Sequence, residues 1–140
     1  MVYTEEIIEE AESNGIEIFY GNLPLSEAVS VPGYIGLDYS LMTSPAKEKI
    51  ACTHELGHNV TGGFYTRNSS PLEKRRAEVR ADRYTYRKLL PLEDLQDAVR
   101  KGYREPWEIA DYLELTNEFV ADALKYYTEH GYILTDADAC

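Results

Sequence analysis

A chain of 140 residues fits one domain and can bury roughly two-thirds of its unfolded surface. With 44% hydrophobic and 28% charged residues, the composition is that of a globular protein and excludes a disordered or fibrous one. A net charge of −11 would repel phosphate backbones, which argues against nucleic-acid binding through a general basic field.

The opening "MVYTEEIIEE" lacks the basic start and apolar core of a secretion signal. No apolar run approaches the roughly 20 residues needed to span a bilayer, so a cytoplasmic protein without a membrane role is expected. "TEEIIEEAESNG" reads as an amphipathic helix with Thr4 as N-cap, an apolar stripe at Tyr3, Ile7, Ile8 and Ala11, and Gly15 as its stop. "IEIFY" (16–20), "EAVSV" (27–31) and "YIGLD" (34–38) are short, β-branched and aromatic, with turn residues between them. They predict a small, largely antiparallel sheet of three strands.

"SPAKEKIACTHELGHNVTGG" opens on Ser44 as N-cap with Pro45 at the first helical position and closes on Gly62-Gly63, so its histidines lie on a helix. After a polar loop, Ser70, Pro71 and Glu73 form a capping box for a helix running to about Leu90. Its inward stripe is Glu78, Ala81, Asp82, Thr85 and Leu89. Three shorter helices follow, in "PLEDLQDAVRKG", "EPWEIADYL" and "TNEFVADALKYYTEHG", stopped at Gly102, Leu115-Thr116 and Gly131. No repeat or linker suggests a second domain. The chain reads as one α+β domain, with a core over 1–91 and a helical C-terminal part over 92–140.

His54 and His58 are at i and i+4, so both imidazoles project from one helical face and can meet a single ion. Glu55, one residue round, sits beside that ion and is placed to take a proton from water that the ion has acidified. Tetrahedral catalytic zinc needs three protein ligands and one open position, and the candidates for the third are Glu73, Glu78, Asp82 and His130. Glu73 is occupied as the capping-box partner, and His130, beside Gly131, suits a helix C-terminus. Glu78 puts a carboxylate where a core residue is expected, which calls for a cationic partner, and is the third ligand by this reasoning. Asp82, one turn on, could accept a hydrogen bond from the outer N–H of a ligating histidine and fix its tautomer. An oxyanion donor could come from Tyr65, Tyr84, Tyr86 or an arginine, and an extended substrate could add to a sheet edge.

"HELGH" in a helix after a short sheet, followed by "AEVRADRYTYRKLLP" in the next helix, resembles the ImmA/IrrE family of gluzincin-like metallopeptidases over roughly residues 1 to 91. The resemblance implies zinc, one ion per chain, on His54, His58 and Glu78, with Glu55 as general base and Asp82 behind a ligand. Many members read Glu-Ala-Asn where this chain has Arg80-Ala81-Asp82, which leaves Glu78 as the carboxylate in register. It also implies the substrate: a helix-turn-helix transcriptional repressor of a phage or mobile element, encoded nearby.

Arg76, Arg80, Arg83 and Arg87 form a basic stripe opposite the inward face of their helix, able to dock an acidic partner or simply to be solvated. "EIADYLELTNEFVADALKYY" has the apolar pattern of a helix-turn-helix, but Glu118, Asp122 and Glu129 against Lys125 give its second helix the wrong sign for a phosphate-lined groove. Cys52 reads as a small buried hydrophobe and Cys140 as a free thiol. The expectation is a zinc endopeptidase; the alternative is a binding protein, an anti-repressor or toxin–antitoxin component, that keeps the zinc fold and acts by capture.

Overall fold

The computed structural model describes residues 1–132; Cys140 lies outside them. The fold is α+β, with six α-helices and one three-stranded sheet among the described residues. It divides into two compact units, Val2–Thr85 and the chain from Tyr86 on together with Met1. The division falls inside a helix, six residues before the 91/92 boundary expected from the sequence.

In the first unit, α1 spans Thr4–Ser13. Its N-cap is Tyr3, not Thr4: Tyr3 is extended, its N–H donates to Glu6 Oε2 at 3.3 Å, and Thr4 is the first helical residue. Strands β1 (Glu17–Gly21), β2 (Ala28–Val31) and β3 (Tyr34–Asp38) follow. The sheet order is β1-β3-β2. The antiparallel expectation holds for β2 with β3, but β1 pairs with β3 in parallel, Glu17 opposite Tyr34. The tight turn at Gly33, with φ of 83°, makes a hairpin whose second strand runs back in the direction of β1 and takes the centre. β1 and β2 are therefore the edges.

The long helix α2 (Pro45–Thr61) packs against α1, β2 and β3. Ser44 Oγ accepts from the Lys47 N–H at 3.1 Å and Gly62 closes the helix in the left-handed conformation, φ 69°, as its sequence requires. Ile7, Ala11, Ile35, Leu37, Cys52 and Leu56 are wholly buried and form the core around it. Helix α3 (Pro71–Leu89) begins with Ser70 Oγ accepting from the Glu73 N–H at 3.1 Å. The second unit holds the last turn of α3 with α4 (Leu92–Arg100), α5 (Pro106–Leu113) and α6 (Asn117–Glu129). α5 and α6 pack on one another through Ile109, Ala110, Leu113, Phe119, Val120 and Ala123, all buried. Glu114, at φ 55°, makes the break between them. No helix among the described residues is long and apolar enough to cross a membrane.

Candidate metal centre

The histidines of α2 and the carboxylates of α3 meet in the first unit. His54 Nε2 lies 2.9 Å from Glu78 Oε2, and His58 Nε2 lies 3.4 Å from Glu78 Oε1. One carboxylate thus spans both imidazoles, whose ring centroids are 4.9 Å apart. Ligands held at 2.0 to 2.2 Å by a shared tetrahedral ion stand about 3.4 Å from each other; the His58–Glu78 distance matches this, and the His54–Glu78 contact at 2.9 Å is a hydrogen bond. His54, Glu55 and His58 bring ligand atoms within 4.8 Å of one another, as do His54, Glu78 and Asp82. These side chains could hold a metal ion.

The outer ring atoms are held too. Asp82 Oδ1 is 3.2 Å from His54 Nδ1, and the Gly63 carbonyl oxygen is 2.6 Å from His58 Nδ1. Both Nδ1 atoms thereby donate, which leaves each Nε2 as the ring atom facing Glu78 and, once deprotonated, free to ligate an ion. Because Asp82 and Glu78 sit on opposite edges of the His54 ring, they cannot share an ion through the same nitrogen. Asp82 stands on the Nδ1 side of the ring, away from Glu78.

Approach of the two helices this closely depends on glycine. A Cβ on Gly57 would stand 3.2 Å from both the Cα and the carbonyl oxygen of Ala81, and 3.1 Å from the Tyr84 ring. Gly63 similarly approaches Ala77, at 3.4 Å. Ser30 and Asn59 complete the frame: Ser30 Oγ donates to the Glu55 carbonyl at 3.1 Å, Asn59 Nδ2 donates to Ser30 Oγ at 2.7 Å, and Asn59 Oδ1 accepts from the Gly33 N–H at 2.8 Å. This network ties β2 and its turn to α2. Sequence reading missed it: Ser30 is half-buried between the exposed Val29 and Val31, and nothing along the chain marks it.

Charge follows the geometry. Burial alone would lower the His54 pKa, but the hydrogen bond and charge of Asp82, with Glu55 and Glu78, push it up to about 9. Without a metal the ring is therefore a cation at neutral pH, occupying a place that favours positive charge. Burial raises the Glu55 carboxyl above the usual carboxylate range against the pull of both histidines, and Glu78 adds to the rise. Burial also opposes ionisation of Glu78, but the Tyr65 hydrogen bond and the two histidines outweigh it and lower its pKa.

Glu55 and His58 are 8% and 5% exposed and open on a cavity of about 370 Å³ bounded also by Ala28 and Ser30 of β2, Tyr65 and Glu78. Of the three tyrosines considered from the sequence, Tyr65 reaches this site, its hydroxyl donating to Glu78 Oε1 at 2.5 Å. Tyr84 turns instead to Glu10, at 3.4 Å, and Tyr86 lies in the second unit against Phe119 and Tyr126. Of the two set-aside candidates, Glu73 is exposed in the first turn of α3, and His130 caps α6 with Nδ1 2.8 Å from the Tyr126 carbonyl. Arg76, Arg80, Arg83 and Arg87 are all exposed, as expected of an outward stripe. Cys52 is fully buried, and burial with the charges of Glu48 and Glu55 pushes its thiol up to about 12, which leaves it inert. Compared with protein-family models, curated proteins and solved structures, the chain matches none.

Proposed function

We propose that this protein is a zinc-dependent endopeptidase of the ImmA/IrrE type, which binds zinc through His54, His58 and Glu78 and cuts an extended segment of a helix-turn-helix repressor. The observation that carries the reading is the convergence of two Nε2 atoms on one carboxylate, each ring fixed from behind, beside a buried glutamate in an open cavity. The donor set of two imidazoles and one carboxylate suits zinc, and leaves one coordination position open. Zinc bound there supplies a Lewis acid that acidifies water and polarises a carbonyl.

The remaining steps fall to the chain. Glu55, its proton affinity raised by burial, accepts a proton from water in the cavity and delivers it to the departing amine. β2 aligns the substrate. The Asp38 N–H bonds the Glu27 carbonyl at 2.8 Å, and the antiparallel alternation then turns the N–H and C=O of Ala28 and Ser30 to the free edge beside the cavity. An extended peptide pairing there lies across Glu55 and His58. Ser26 Oγ, which bonds both the N–H and the carbonyl of Ala28, holds that edge until a substrate backbone replaces it.

The test is co-expression of the neighbouring repressor with wild type or with Glu55→Gln, followed by mass spectrometry of intact products. Fragments with wild type alone support the endopeptidase. An intact repressor that co-purifies equally with both overturns it in favour of capture without cleavage.

A further inference from the structure

Each prospective ligand of the metal centre also has a partner outside the ligand set, and for Glu78 that partner comes from the loop after α2. Gly62 ends the helix and turns the chain, Gly63 offers its carbonyl to His58, and two residues later Tyr65 returns to the site. The segment beyond is braced by the Thr66 N–H to Ser69 Oγ at 2.9 Å, the Ser69 N–H to the Thr66 carbonyl at 3.1 Å and the Asn68 N–H to Thr66 Oγ1 at 3.2 Å. The Tyr65 ring meets His58 edge on, centroids 6.2 Å apart and planes at 74°. Its hydroxyl ends on the Glu78 oxygen that also faces His58.

We propose that Tyr65 is a positioning residue of the metal centre, its hydroxyl locking the Glu78 carboxylate in the orientation that completes a three-ligand site. The inference rests on the metal-binding part of the reading above and not on proteolysis. A free glutamate side chain on a helix samples several rotamers, and only some present an oxygen between the two imidazoles. Hydrogen bonds behind first ligands of this kind typically carry about 10- to 100-fold in metal affinity. Tyr65 is 42% exposed, so loss of its hydroxyl leaves the core intact.

The experiment compares full-length wild type, Tyr65→Phe, Glu78→Gln and the double variant by zinc competition against a fluorescent chelator, with cobalt absorption spectra as a report of ligand geometry. Expected are a loss of about 10- to 100-fold in zinc affinity for Tyr65→Phe, a changed cobalt spectrum, and no further loss when Tyr65→Phe is added to Glu78→Gln. Equal zinc affinity in wild type and Tyr65→Phe overturns the proposal while leaving the metal centre standing. Lost turnover with unchanged affinity and spectrum also overturns it, because the phenol then acts on substrate. A wild type that binds no zinc overturns the metal centre and this inference together.

Discussion

Two helix pairs in this molecule are built from the same short-range signals and turned to different ends. In α5 and α6 the facing residues are Ile109, Ala110, Leu113, Phe119, Val120 and Ala123, and their burial is what holds the pair. In α2 and α3 the facing residues include His54, His58, Glu78 and Asp82, whose desolvation costs stability unless each finds a partner. The contrast shows where the fold gains stability and where it spends it. The polar seam is possible because Gly57, Gly63, Ala77 and Ala81 bring the helices close enough for the carboxylates to reach the imidazoles.

Substitutions can separate the two seams. Glu55→Gln should lower peptide cleavage by on the order of 10²- to 10⁴-fold, read by turnover. Zinc affinity should be kept, and the thermal midpoint should not fall, because the substitution removes a buried carboxyl held above its usual range. A comparable loss from a substitution in the α5–α6 seam would break the contrast. Ile109→Ala, by comparison, should cost about 2–5 kcal/mol of unfolding free energy by urea titration, with zinc affinity unchanged in the folded fraction.

Gly57→Ala tests whether the close approach matters. A Cβ at 3.2 Å from the α3 backbone forces the helices apart at about 1–3 kcal/mol, which outweighs the roughly 1 kcal/mol by which alanine favours a helix over glycine. A net loss of about 1 kcal/mol with weaker zinc binding is expected. Unchanged zinc affinity would show that Glu78 reaches the histidines without that contact.

The smallest effect is one of pH. In chelated protein His54 has a folded pKa of about 9 against the ordinary histidine value of 6.5, so its contribution is fully present below pH 6.5 and lost as pH rises through 9. Urea midpoints of chelated protein should therefore fall between pH 7 and pH 10. Zinc should flatten the dependence, since a ligating imidazole nitrogen carries no proton. His54→Ala should remove it, whereas Ile109→Ala should leave it in place.

Much of this was legible in the sequence, because it depends on neighbours along the chain. Ser44-Pro45 and Gly62 fixed the ends of α2, Ser70-Pro71 the start of α3, and the i, i+4 spacing put His54 and His58 on one face whatever the rest of the chain does. A carboxylate at Glu78 on the inward stripe pointed to a charge in need of a partner, although the structure leaves that side chain half-buried. The capping of α1 was misread by one residue: Tyr3 takes the extended N-cap position, with Glu6 at N3 accepting its N–H. The parallel β1–β3 pairing was invisible, because strand direction is decided by which strand the hairpin leaves at the centre. The choice of Tyr65 over Tyr84 and Tyr86, the Gly63 carbonyl behind His58, and the Ser30–Asn59 clamp on β2 also belong to tertiary structure alone. Local sequence sets which face a side chain occupies, but which partner meets it depends on how closely two distant backbones can approach. Here that distance is set by Gly57 against Ala81.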